Sequence, residues 1–244
     1  MKIKKNTFDV EEAMDRVLFI AEIGLNHNGN FGLLYELIKQ ASYSGADIAK
    51  FQLGWRANEG EINQINEDII KHIIMCCNRF EILPMFSIFN KTALKLANKF
   101  SMPCYKIASR TLSDEFSLSK EIVEMNKPVF ISLGMWGEEK MPFPKSPKIF
   151  YLWCKSSYPA YPWELTNFPK IFSNKNYIGY SDHSVGIDVP LLAIARGAKV
   201  IEKHFTLDKS DITIRDHALS ATPDEFSTMV KIGRQIKLNL NLNV

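Results

Sequence analysis

Two tripeptides in the last third of this chain, Ser181-Asp182-His183 and Glu202-Lys203-His204, each close a short apolar run. Tyr177-Ile178-Gly179-Tyr180 leads into the first and Lys199-Val200-Ile201 into the second, with a helical stretch from Val189 to Arg196 between them. Strand, helix, strand in that order makes the two runs parallel neighbours with their polar ends on one side of a sheet. Period-two alternation puts Glu202 and His204 on one face and Lys203 on the other. Two imidazoles with a carboxylate nearby, at the carboxyl ends of adjacent strands, suit a divalent metal that keeps positions open for substrate. His183 and His204 are the expected ligands, and neutral imidazoles favour Mn²⁺ over Mg²⁺. The plainer alternative is two satisfied structural histidines.

Other ionisable residues stand where a sheet should be apolar. Glu22 closes the run FIAE, Lys50 closes DIAK, and Lys106 lies inside CYKIAS. Ser109, Ser132 and Ser156 stand at the ends of the fourth, fifth and sixth apolar runs. A buried ammonium without a partner is costly, so each lysine must meet a carboxylate or an anionic ligand. A structural Lys–Glu network is one solution. The other is a pocket in which lysines and hydroxyls beside a metal hold a phosphate and a carboxylate together, as in phosphoenolpyruvate (PEP).

The elements that must position these groups recur along the chain. Val17–Glu22, Asp47–Gln52, Ile82–Ser87, Cys104–Ala108, Pro128–Leu133, Lys148–Cys154, Tyr177–Tyr180 and Lys199–His204 read as strands. Amphipathic helices are expected over 31–44, 67–80, 91–99, 114–125, 189–196 and 224–239. Eight strands alternating with helices over 244 residues predict an α/β fold, a single-domain (β/α)₈ TIM barrel, with residues 1–16 as an N-terminal extension. A doubly wound sheet is the runner-up, but no Gly-rich phosphate turn follows the first strand. The stretch GMWGEEKMPFPKSP after the fifth strand is too proline-broken for a barrel helix, so that crossover should be degenerate. The stretch from Leu53 to Asn66, with Trp55 and Arg56, reads as a loop near the site.

Bulk properties narrow the partners. The net charge is +3, with no basic block beyond the Lys2–Lys5 cluster, which argues against nucleic acid or a membrane surface. No apolar run reaches the length of a membrane span. The N-terminus is no signal peptide, and Cys76, Cys77, Cys104 and Cys154 lack paired-ligand spacing. Reduced, buried thiols in a cytoplasmic protein are expected.

Six runs, taken together and in order, resemble the sialic acid synthase family, which includes N-acetylneuraminate, legionaminate and pseudaminate synthases. They are IAEIGLNHNG (20–29), GADIAKFQ (45–52), YKIAS (105–109), KPVFISLGM (127–135), GYSDH (179–183) and IEKHFTLD (201–208). The resemblance implies a barrel that condenses PEP with an N-acylated aminosugar such as N-acetylmannosamine, releasing phosphate and forming a nonulosonic acid. It implies His183 and His204 as metal ligands and Lys50 and Lys106 as PEP-binding lysines. Ser87, Ser109 and Ser181 would be hydroxyl contacts, joined on the substrate side by Ser156 and Tyr158. Glu22, Glu202 and Asp216 would be the acidic groups of catalysis.

The chain also departs from the family's pattern. Members usually continue into a small antifreeze-like domain that covers a partner's site and donates an arginine to the sugar, which leaves room for a homodimer. This chain stops at Val244, so a barrel without that cap is expected. Arg110-Thr111 stands where Gly-Glu is common, and Arg215 replaces a proline before Asp216. Arg215 is the expected substitute for the cap arginine, with Arg56 and Arg110 as weaker candidates. A metal-dependent keto-acid aldolase and a catalytically weak PEP- and sugar-binding barrel are the competing readings.

Overall fold

The computed structural model describes residues 10–241; the Lys2–Lys5 cluster and the chain end at Val244 lie outside them. Eight parallel strands close a barrel in sequence order. They are β1 (Leu18–Gly24), β2 (Ile48–Leu53), β3 (Leu83–Ile88), β4 (Tyr105–Ile107), β5 (Val129–Ser132), β6 (Ile149–Cys154), β7 (Gly179–Asp182) and β8 (Val200–His204). Each predicted run appears, displaced by a residue or two at its ends. The helices are α1 (Val10–Asp15), α2 (Leu34–Tyr43), α3 (Glu67–Arg79), α4 (Lys91–Ala97), α5 (Ser109–Asp114), α6 (Phe116–Glu124), α7 (Asp188–Ala195) and α8 (Pro223–Asn241).

Alternation along the strands divides the molecule into two apolar cores. Outward residues such as Phe19, Phe51, Phe86, Ile131, Tyr180 and Ile201 pack under Leu37, Ile73, Leu94, Ile122, Ile194 and Phe226 of the helices. Inward residues Leu18, Ile20, Ile48, Met85, Phe130, Leu152 and Val200 fill the barrel. Ala13 and Met14 of α1 join this inner cluster, so the helix plugs the amino-terminal end of the barrel. The expected N-terminal extension therefore carries a closing element. Toward the carboxyl end the inward positions turn polar, with Glu22 beside Lys50 in the β1–β2 register and beside His204 in β1–β8.

Two expectations need correction. The helix expected over 114–125 is α6, but a further helix, α5, precedes it directly after β4, and Glu115, at φ −131° and ψ 55°, separates the two. The helix expected over 31–44 opens as a 3₁₀ turn, Phe31–Leu33. The crossover after β5 does lack a helix, but so does that after β6, which holds only the 3₁₀ turn Pro162–Glu164. Pro159, Pro162 and Pro169 interrupt that second stretch, each removing an N–H donor from any helix through it.

Candidate active site

The polar ends of the strands surround one cavity of about 390 Å³ at the carboxyl end of the barrel. Every site residue expected from sequence lines it: Glu22 (β1), Lys50 (β2), Ser87 (β3), Lys106 (β4), Ser181 (β7), and Glu202 and His204 (β8) from strands, and Ser109, Ser156, Tyr158, His183, Arg215 and Asp216 from the segments that follow them. Arg110 lines it as well, whereas Arg56 does not. Arg56 instead takes a left-handed backbone in the β2–α3 loop, at φ 48°.

At the floor lies a buried cluster of ions. Lys50 Nζ stands 2.8 Å from Glu22 Oε2 and 3.6 Å from Glu202 Oε1, and donates to Ser87 Oγ at 3.0 Å. Among the described residues, Lys106 Nζ pairs with Glu202 Oε1 alone, at 3.2 Å. Ser181 Oγ donates to the same oxygen at 2.8 Å, and Gln52 Nε2 donates to Glu22 Oε1 at 3.0 Å. Each lysine thus has a carboxylate, as the structural alternative required, yet both line the open cavity. Their balance differs. Burial works against the Lys50 ammonium, but Glu202 and Glu22 outweigh it and hold its pKa raised. For Lys106 burial wins over the pull of Glu202, and the pKa is lowered.

The two carboxyls are driven apart in the same way. Burial, the largest influence, raises Glu22 in spite of Lys50. Burial would also raise Glu202, but Lys106, Lys50 and the Ser181 hydroxyl bring it down to about 2. Glu202 is a fixed anion. Glu22 is the more readily protonated of the pair.

Beside the floor, the His183 and His204 rings lie 5.4 Å apart between centroids. His183 Nδ1 donates to the Lys155 carbonyl at 2.8 Å, which leaves the lone pair on Nε2. His204 Nδ1 is buried without a hydrogen-bond partner, 3.8 Å from Asp216 Oδ2. Burial pushes its imidazole down to about 4, so the ring is neutral near pH 7. Among the described residues no three His, Cys, Asp or Glu side chains form a metal-holding cluster. The donor set fits a cation that takes two imidazole nitrogens from the protein and its remaining ligands from water or substrate oxygens.

The backbone around the histidines is fixed from behind. Lys203, the outward neighbour between Glu202 and His204, is fully buried and pairs with Asp182 Oδ2 at 2.5 Å while donating to the Ser184 carbonyl. Asp182 Oδ1 in turn accepts from the Ser184 amide and hydroxyl at 2.9 and 2.7 Å. Sequence reasoning placed Lys203 on the outer face but gave it no role. It also missed Gln52, Phe89 and the cavity-lining position of Cys154, whose Sγ lies 3.7 Å from His183 Nδ1. Gln52 was recoverable, because it follows Lys50 by two and must share its face.

The chain is 38% identical over 241 residues to an uncharacterized protein of Methanocaldococcus jannaschii, covering 89% of this chain and 70% of that one. It is 32% identical over 261 residues to the N,N'-diacetyllegionaminic acid synthase of Campylobacter jejuni, covering 92% and 77%. The crystal structure of the N-acetylneuraminic acid (sialic acid) synthetase of Leptospira borgpetersenii superposes with a TM-score of 0.77 at 26% identity, over 92% of this chain and 85% of that one. The family model described as the NeuB family matches residues 59–243, and that match spans β3 to β8 with both histidines, so the chain belongs to the NeuB family.

Proposed function

We propose that the chain condenses PEP with an N-acylated aminosugar of the N-acetylmannosamine type, releasing phosphate and forming a nonulosonic acid. The observation that carries this reading is Lys106, a buried ammonium on the cavity wall with one shared carboxylate oxygen for a counter-ion. An anionic ligand would complete its solvation. PEP, with phosphate and carboxylate together, also matches the nearby Lys50 and the hydroxyls of Ser87, Ser109 and Ser181.

The residues divide the work. Lys50 and Lys106 hold the two acidic groups of PEP and stabilise the phosphate as its bond to C2 breaks. A divalent cation, Mn²⁺ or Mg²⁺, held by His183 and His204 would polarise the acceptor's aldehyde oxygen. C3 of PEP forms the new bond to the aldehyde carbon, whose oxygen takes a proton and becomes a hydroxyl. Water adds at C2, and its oxygen remains as the keto oxygen when phosphate departs. Glu22 takes the water's proton, because burial raises its pKa whereas Lys106, Lys50 and Ser181 hold Glu202 as an anion. Asp216 steadies His204, and Tyr158 and Ser156 flank the acceptor. A cytoplasmic setting fits the buried free thiols, and among the described residues no helix is long and apolar enough to cross a membrane.

The test is phosphate release from PEP with Mn²⁺ and a panel of N-acyl mannosamine and bacillosamine-type sugars. Release that requires both PEP and one of the sugars is expected. Turnover without PEP would indicate an aldolase instead, and PEP binding without release would indicate a weakly catalytic barrel.

A further inference from the structure

The barrel holds its two cavity histidines unequally. The β7–β8 pairing runs from Gly179–Val200 to Asp182–Lys203 and stops there, so His183 and His204 both lie one residue past its end. His204 is still paired with Glu22 of β1. His183 is tied instead to the segment after β6, where the Lys155 carbonyl accepts from its Nδ1 and the Ala160 amide donates to its carbonyl, each at 2.8 Å. Its link to β8 is made by the residues immediately before the two histidines, Asp182 and Lys203. Lys203 Nζ reaches Asp182 on one side of His183 and the Ser184 carbonyl on the other. One ammonium on the strand of His204 therefore brackets His183.

Stability is a poor account of this pair. Both side chains are fully enclosed, and neither lines the cavity where a ligand could join them. Taking two ions out of water is costly, and exchanging a buried ion pair for uncharged groups of similar volume is often neutral or stabilising. What the pair supplies is a fixed distance and direction between two chain segments. Here those segments carry imidazoles whose centroids are 5.4 Å apart. Groups behind metal-ligating histidines set ligand orientation and, through it, metal affinity. We infer that Asp182 and Lys203 are positioning residues for the metal, their ion pair setting the separation at which His183 and His204 meet it. This rests on the cation held by those histidines in the proposal above.

The Lys203→Met/Asp182→Asn double variant tests it, because both charges go at nearly unchanged volume and the asparagine keeps an oxygen for Ser184. Either substitution alone would leave a buried charge unpaired. Calorimetry on the full chain with Mn²⁺ alone and with PEP alone, beside urea melts without metal, compares the double variant with the unaltered chain. Mn²⁺ should bind about tenfold more weakly or worse. PEP affinity should stay within about threefold, since its lysines are held elsewhere, and the urea midpoint should move little. An Mn²⁺ affinity within about threefold of the original overturns the inference. So does a double variant that fails to fold, or whose PEP and Mn²⁺ affinities fall together, because the pair would then be maintaining the fold. The unaltered chain keeps the two readings apart. Absence of Mn²⁺ binding there loses the metal reading as well, whereas binding that the double variant retains loses this inference alone.

Discussion

Lys50 and Lys106 are two buried ammoniums in one cavity with unequal surroundings, and the inequality sets expectations for each. Lys50 is surrounded by Glu22, Glu202 and Ser87, whereas among the described residues Lys106 pairs only with a shared oxygen of Glu202. Lys106→Met should weaken PEP binding by about tenfold or more, since a charge-assisted contact in such a site is worth roughly 1.5–3 kcal/mol. Mn²⁺ binding should be spared, and titration calorimetry with each ligand separates the two effects. Glu22→Gln should leave PEP affinity near its original value and lower kcat by about 10²-fold or more, the usual scale of a lost proton carrier. Steady-state kinetics with PEP varied would expose an error here as a rise in KM with kcat unchanged. These residues were legible in the sequence because charges at the ends of apolar runs violate the pattern around them. Cys154 was not, because a cysteine looks the same in a core and on a cavity wall.

The strands were legible as elements because period-two alternation with an apolar outer face is a strong signal. No helix was expected after β6, and its three prolines are the physical reason that none forms. The short helix α5 left no such mark; six residues without a side-chain cap are too few for a helical period to show. Gly179 shows what sequence pattern alone does not give. A Cβ there would overlap the Val200 carbonyl oxygen, so β7 and β8 approach as closely as they do because the side chain is absent. Gly179→Ala should cost about 1–3 kcal/mol by overpacking, read as a lower midpoint in urea. It should also weaken Mn²⁺ binding, since the two strands carry the histidines; unchanged metal affinity would mean that the spacing is held elsewhere. At the opposite end, Met14→Asp would set a carboxylate among Leu18, Ile20 and Val200, and should lower stability by about 2–5 kcal/mol.

For the molecule as a whole, acid sensitivity has an identifiable contributor outside the cavity. The His27 ring is fully buried, its Nε2 is 3.2 Å from Asn63 Oδ1, and Gly29 N donates to its Nδ1 at 3.2 Å. Burial lowers its pKa to about 4, against the opposing effect of Asn63. The unfolded chain takes up this proton near pH 6.5 and the folded chain only near pH 4, so the contribution is intact above 6.5 and is lost as pH falls to 4. The loss should be on the order of 3 kcal/mol. In urea melts across that window, His27→Gln should flatten the slope of stability against pH, whatever it does at pH 7.

The paired loss of helices after β5 and β6 has a kinetic consequence for this wall of the barrel. On β6 the outward Ile149, Tyr151 and Trp153 are partly exposed, whereas outward residues on β1 and β8, such as Phe19 and Ile201, are fully enclosed. Backbone hydrogen bonds shielded by loops rather than by packed helices open at lower free energy than those deep in a layered core. In deuterated buffer the amides of β6 should therefore exchange ahead of those of β1 and β8, through sub-global openings that leave the His204 side of the barrel closed. The strand that breathes would then be the one that leads into Ser156 and Tyr158 on the cavity wall, next but one to the strand that carries His204.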